Sequence, residues 1–226
     1  MFGEYAITVL RMESAKPRMK TTLEREKLFQ LLGKRMPTVK TCFEILRGRH
    51  SEISILELGS SRSFTTGIIN TKESTPNAEN WDWGGGCFTA AIKILLPNCR
   101  LTSVDPNPDA IQVSKTLLQY IGSEAIFVQE DSTSFLKKTN CSYDLIYMDH
   151  AESGSSDKCA ILHRNEASRI LEKKIIKPDG LILIDDIKTS FNKGMYSVPF
   201  LKEHGLTELS NNSYQILFRK ERLITG

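Results

Sequence analysis

Five short apolar runs between residues 53 and 185, spaced by segments of helical pattern, leave this chain little choice of architecture. The runs are "ISILEL" (53–58), "RLTSVD" (100–105), "AIFVQ" (125–129), "YDLIYMD" (143–149) and "LILID" (181–185). Between them lie "GCFTAAIKILL" (86–96) and "NPDAIQVSKTLLQY" (107–120), the second with an Asn cap and Pro108 at its first helical position. A short "SFLKK" and the long "SDKCAILHRNEASRILEKKII" (156–176) follow, and Pro178-Asp179-Gly180 reads as a turn into the fifth strand. Strands alternating with helices predict a parallel sheet covered on both faces. The tail departs from that rhythm: "GLTELS" and "SYQILFRK" flank Asn211-Asn212, a hairpin signal. The expected fold is therefore α/β, a doubly wound, mostly parallel, seven-stranded sheet with an antiparallel last strand.

Length supports one such domain and a short preface, since 226 residues do not suffice for two full domains. Residues 50–226 form the expected domain, and 1–49 a helical segment before it. In that segment Leu23, Leu28, Leu31 and Leu32 recur at helical spacing, and "VKTCFEILRGRH" reads as a second helix. Such a preface either covers an active site or packs on a sheet face. The net charge of +3, with no dense basic tract interleaved with aromatics, argues against a nucleic-acid partner. No apolar run approaches a membrane span, and the first residues lack the pattern of a signal peptide. The five cysteines have no CxxC spacing and read as reduced thiols, which points to the cytoplasm. A homo-oligomer stays open.

Ligands of open α/β sheets bind outside the carboxyl ends of the strands. Those ends collect Glu57, Gly59, Ser60 and Ser61, then Asp105, Asp131-Ser132, Asp149-His150 and Asp185-Asp186. Gly59 lets a backbone approach a ligand closely, and free N–H groups in such a turn suit an anionic group. The turn is not GxGxxG. Its helix is delayed by an insertion at about 70–86, after which Gly86 opens "GCFT" as the helix N-terminus; an ordinary surface loop is the plainer reading. Trp81 and Trp83 in that insertion either face a substrate or anchor the loop. An acid at Asp105 suits a ribose diol, although Asp105-Pro106-Asn107 is also plain turn chemistry. Asp149, Asp185 and Asp186 would meet as a hard-cation site or as a surface that repels itself, unless Asp149 pairs with a lysine and Asp186 caps the next segment.

Taken in order, "ILELGSS", "VD", an acid after the third strand, "YDLIYMDH" and "KPDGLILIDDI" resemble the class I S-adenosylmethionine-dependent methyltransferases over about residues 50–220. The closing elements are similar to the metal-dependent, catechol-type O-methyltransferases and their bacterial relatives. The resemblance implies S-adenosylmethionine held by Glu57, Gly59, Ser60, Ser61, Gly86, Asp105, Asp131, Ser132 and Asp149, with Mg²⁺ held by Asp149, Asp185 and Asp186. It also implies a small hydroxylated acceptor. The family's substrate lysine is absent, because Glu152 stands in its place. His150 is then the nearest candidate base and Lys188 the second, with a structural histidine as the competing reading of His150. His163 and His204 read as surface groups on helices. Two alternatives remain open: a metal-independent methyltransferase, and a non-catalytic binding module of the same fold.

Overall fold

The computed structural model describes residues 25–49, 51–62, 81–83, 87–151, 156–188 and 190–221. Among them the strands are β1 (Ser54–Leu58), β2 (Arg100–Val104), β3 (Ile126–Val128), β4 (Tyr143–Met148), β5 (Ile176–Ile184), β6 (Leu206–Asn211) and β7 (Ile216–Lys220). They form one sheet of order β3-β2-β1-β4-β5-β7-β6. Only β7 runs against its neighbours, pairing antiparallel with both β5 and β6. The expected closing hairpin is there: Asn212 Oδ1 accepts the backbone N–H groups of Tyr214 and Gln215 at 2.9 and 2.7 Å, and Ser213 takes a φ of +65°.

Successive strand residues point to opposite faces, and the core divides accordingly. Ile55, Leu145, Tyr147, Leu181, Leu183 and Leu217 face one layer, made of α1 (Arg25–Leu31), α2 (Met36–Arg47), α3 (Phe88–Leu95) and α4 (Pro108–Tyr120). Leu56, Leu58, Ile146, Met148, Ile182 and Ile184 face the other, made of α5 (Ser132–Lys138), α6 (Lys158–Glu172) and α7 (Gly194–Glu203). Asn107 caps α4 as expected, its side chain accepting the Asp109 N–H at 2.9 Å. No described helix is long and apolar enough to cross a membrane.

Two local expectations change, and one helix forms where no pattern announces it. Pro178-Asp179-Gly180 does not precede β5 but lies inside it, at an irregularity in the pairing with β4 between Tyr143 and Leu145. Ile175 and Ile176, which extend the helical pattern, instead lead into and open the strand, because Lys174 at φ +56° ends the helical stretch and both isoleucines are buried. α7 carries Gly194 and an internal Pro199 and so has no helical signal, yet it forms because Phe200 and Leu201 are buried against the sheet layer. The two tryptophans are also decided: both are buried in the core, and Trp81 packs near Tyr120 of α4 with ring centroids 6.2 Å apart. They are anchors.

Register positions the site. Leu58 stands beside Val104 and Met148, and Met148 beside Ile184, so the parallel strands end in line. Gly59, Asp105, Asp149 and Asp185 are the next residues, stitched by Gly59 N–H to Val104 O at 2.9 Å, Asp149 N–H to Leu58 O at 2.9 Å and Asp185 N–H to Met148 O at 3.2 Å.

Candidate functional site

A cavity of about 330 Å³ opens at this edge, lined by Gly59, Ser60, Asp105, Asp131, Ser132, Asp149 and His150, with Arg62, Pro106, Thr133, Ala151 and Leu162 between them. Six of the nine residues expected to hold the donor thus share one wall. Gly59 adopts φ +98°, and a Cβ there would lie 2.7 Å from His150 N and 2.9 Å from Asp149 C. The turn after β1 therefore presses on the end of β4, and only glycine satisfies both the dihedral and the contact. Asp105 is fixed by two backbone donors, Ser60 N–H on Oδ2 at 2.9 Å and Asn107 N–H on Oδ1 at 2.8 Å. Each oxygen keeps a lone pair for a further donor such as a ribose hydroxyl. Asp131 caps α5 by accepting the Ser134 N–H at 2.9 Å, and that hydrogen bonding holds its carboxyl below the usual range.

Glu57 and Ser61 lie beneath the cavity rather than on its wall. Glu57 is buried and accepts from the hydroxyls of Thr89 and Ser103; burial pushes its carboxyl up to about 8. Ser61 is turned inward, with its N–H on Ser114 Oγ at 2.9 Å. Gly86, Glu152 and most of the 70–86 insertion lie outside the described residues.

The three acids expected around Mg²⁺ do converge, but two cations of the chain itself lie among them. Lys193, only 2% exposed, donates to Asp149 Oδ1 at 2.6 Å, Asp186 Oδ2 at 2.9 Å and the Asp149 carbonyl at 3.1 Å. Arg35, from the turn before α2, donates through Nε to Asp185 Oδ2 at 2.8 Å, and its NH2 lies 2.7 Å from the same oxygen. The Tyr147 hydroxyl reaches Asp185 Oδ2 at 2.6 Å and Asp149 Oδ2 at 3.0 Å, and Asp185 Oδ1 accepts the Asp186 N–H at 2.8 Å. Asp185, expected at an exposed edge, is fully buried.

Electrostatics follow from three carboxylates and two cations. For Asp149, burial pushes the pKa up, but Lys193 and Arg35 outweigh it and hold the carboxyl low. For Asp185, burial and then the neighbouring Asp149 push it up, against the pull of Arg35. Lys193 and Arg35 are both raised, since their acidic neighbours overcome a burial that would lower them. The uncompensated charge therefore falls on Asp185. The set as it stands does not fit Mg²⁺, which needs several oxygens free to approach to about 2.1 Å in octahedral array. Here only Asp186 Oδ1, 4.0 Å from the Arg35 guanidinium, lies beyond hydrogen-bond distance of the partners just described.

His150 has its own company. Its Nε2 lies 3.1 Å from Glu166 Oε1 and 3.3 Å from Ser132 Oγ, and its ring stacks on His163 with centroids 4.8 Å apart. His163, expected at the surface, is wholly buried, and its Nε2 lies 2.9 Å from the His150 carbonyl, which requires that nitrogen to carry the proton. His204 is exposed as expected. The 3.1 Å separation suits an ion pair, yet burial pushes Glu166 up to about 8 and, with Lys193 second, His150 down to about 4. The neutral pair, with the shared proton on Glu166, is the state this burial favours near pH 7. His150, His163 and Glu166 bring ligand atoms within 4.8 Å of one another, but the rings are parallel to within 5°. A metal in the plane of one stacked ring lies outside the plane of the other. Lys188 is exposed.

Lys193, Arg35 and Glu166 escape sequence reasoning. Lys193 sits in "FNKGM", where nothing marks a lysine for burial, and Arg35 precedes Asp185 by 150 positions. A signal for Glu166 does exist, its spacing of three from His163 on one helix face.

The sheet order, the reversed β7 and a cavity at the carboxyl ends of the strands together define the Rossmann-like methyltransferase fold. Solved structures agree. The chain is similar to an O-methyltransferase family protein from Burkholderia thailandensis, with TM-score 0.51 and 11% identity over 87% of this chain and 59% of that one. It is similar also to a methyltransferase homolog from Pyrococcus horikoshii, with TM-score 0.51 and 12% identity over 83% of this chain and 66% of that one. A third is a T. thermophilus 16S rRNA methyltransferase in complex with AdoMet and guanosine, with TM-score 0.51 and 16% identity over 94% of this chain and 45% of that one. No family model matches. Among curated proteins, polyamine aminopropyltransferases of Neisseria meningitidis are 29% identical over 98 residues, 42% of this chain and 37% of theirs. The match thus spans little more than a third of those relatives.

Proposed function

We propose that this chain binds S-adenosylmethionine in the cavity at the ends of β1 to β4 and transfers its methyl group to a hydroxyl of a small molecule without a divalent cation. The observation that carries this reading is the convergence of Gly59, Ser60, Asp105, Asp131, Ser132 and Asp149 on one wall. Asp105, held rigid by two backbone N–H groups, takes the ribose hydroxyls. The turn at Gly59-Ser60 receives the methionine end, and Asp131-Ser132 lies toward the adenine. The donor, when bound, supplies an electrophilic methyl on a sulfonium. The chain's part is to align a nucleophile behind it, exclude water and take up a proton.

His150 is our candidate for that proton. Its imidazole forms part of the cavity wall and burial keeps it neutral, so to act as the base its Nε2 must first give up the proton it shares with Glu166. Its Nε2 contacts with Ser132 and Glu166 favour a second reading, in which His150 holds the wall and the acceptor has no proton to surrender. A nucleic-acid acceptor, as the T. thermophilus relative has, finds less support in a net charge of +3.

Calorimetry with S-adenosylmethionine tests the core of this. Asp105→Ala should weaken binding about ten- to a hundred-fold, the worth of hydrogen bonds to a charged group. A folded Asp105→Ala protein that binds the donor undiminished would overturn the assignment. His150→Asn, assayed on an acceptor, should lower kcat by roughly a hundred-fold or more if the ring takes the proton, a far larger effect than on donor affinity.

A further inference from the structure

We infer that the Lys193 ammonium occupies the place a divalent cation would take at this sheet edge, so that the site supplies its own counter-charge and has no seat for Mg²⁺. Three observations on separate atoms converge on this. All three ammonium donors are spent, two on carboxylate oxygens a metal would need, Asp149 Oδ1 and Asp186 Oδ2 at 2.6 and 2.9 Å, and the third on the Asp149 carbonyl at 3.1 Å. The lysine is 2% exposed, so it is not a mobile surface chain passing over the cluster. The remaining carboxylate, Asp185, is taken by Arg35 and Tyr147.

Lys193 is also placed by backbone rather than by chance. It stands directly before α7, its carbonyl accepts the Ser197 hydroxyl at 2.9 Å, and Ser197 is itself buried. The stem thus leaves a fixed point seven residues beyond Asp186. An ammonium differs from Mg²⁺ in one respect that matters for substrate. Mg²⁺ keeps open positions for two adjacent oxygens, whereas a lysine with all its donors used presents none. The acceptor class follows: a single hydroxyl suffices, and a vicinal pair gives no advantage. This last step rests on the methyltransferase reading, while the cation argument does not.

The test keeps the two apart by measuring metal without any donor present. Mn²⁺ titrated into the wild-type protein at neutral pH should leave its paramagnetic resonance signal that of the free ion, and neither Mg²⁺ nor a chelator should move the melting temperature. Lys193→Met keeps the length of the side chain and removes the charge, leaving Asp149 and Asp186 facing each other. That variant should bind Mn²⁺ at millimolar concentration or tighter and regain thermal stability with Mg²⁺ as a binding ligand does. Wild-type protein that binds Mn²⁺, or a folded Lys193→Met protein that does not, overturns the inference. If Lys193→Met is unfolded in metal-free buffer, recovery of its melting transition by Mg²⁺ supports the inference and failure to recover overturns it.

Discussion

The two ends of the sheet each bury carboxylates at the strand boundary, and they treat them differently. At the amino end Asp144 is one acid among several donors: Arg49 at 2.7 Å, Lys177 at 2.7 Å, and both the N–H and hydroxyl of Ser54 at 2.8 and 2.9 Å. Its cations are partly in water, Arg49 18% and Lys177 33% exposed at the side chain. At the carboxyl end three acids share two cations, and both cations are buried. A surplus of donors makes a clamp; at the other end a surplus of acid leaves one negative charge unmatched beside the cavity, which Asp149 lines. Volume alone would mislead, because a cavity of about 420 Å³ opens at the amino end beside Tyr143 and Lys177. It lacks the convergent strand-end residues that make the smaller one a site.

The sharpest way to break this contrast is to remove one lysine from each end. Lys193→Ala leaves carboxylates buried without their partner and should cost about 3–5 kcal/mol in denaturant unfolding. Lys177→Ala, whose partner keeps Arg49, should cost about 0–1 kcal/mol. Equal losses would mean that the two ends are not different in kind.

Glycines give a smaller contrast. Gly59→Ala meets backbone atoms at 2.7–2.9 Å and a left-handed dihedral, so it should destabilise by roughly 1–3 kcal/mol and weaken donor binding in the same titration. Gly180→Ala meets the Ile176 side chain at 2.6 Å and the Lys177 carbonyl at 2.7 Å, near the amino end. It should lower stability and leave donor affinity unchanged.

The finest contrast is in pH. Burial pushes Asp144 up, but Lys177, Ser54 and Arg49 outweigh it and hold it below 3.8, so its stabilisation is present above that value and lost as pH falls through its folded pKa. Glu57 and Glu166 are raised from 4.5 to about 8, so the folded state holds their protons more tightly than the unfolded chain. Their contribution is full below about 4.5 and is lost as pH rises toward 8. Melting temperatures should therefore fall as pH rises from about 4.5 to 8 in wild type and fall less in Glu57→Gln, while Asp144→Asn should flatten only the loss at acid pH below 3.8. A fall over that rise that is unchanged in Glu57→Gln would remove that carboxyl from the account.

What was legible in the chain is what short-range pattern encodes. β1, β2 and β4 announce themselves because apolar runs end abruptly in polar residues, and the same abruptness marks Gly59, Asp105 and Asp149. Asn107-Pro108 shows its helix start for an equally local reason. The rest depends on distance. Lys193 is called into burial by Asp149, 44 positions earlier, as well as by the nearby Asp186, and Arg35 by Asp185 at 150, so no short window of sequence holds the whole set. α7 is likewise hidden, since burial of Phe200 and Leu201 overrides a segment with a glycine and a proline. His163 is hidden for the same reason, because a histidine on a polar-looking helix gives no sign that a carbonyl and another imidazole await it.

The place of β7 between β5 and β6 has a consequence for how the molecule is assembled as it is made. β6 leaves the ribosome before the strand that must seat it, and within the sheet it pairs with β7 alone. Until β7 arrives, β5 has a bare edge and β6 has none to join. Tyr214, in the turn that brings β7 in, also lies 3.3 Å from the Arg35 guanidinium. The last described strand thus brings with it a contact to the arginine that neutralises Asp185, and the acid edge is fully assembled only after nearly the whole described chain has been synthesised.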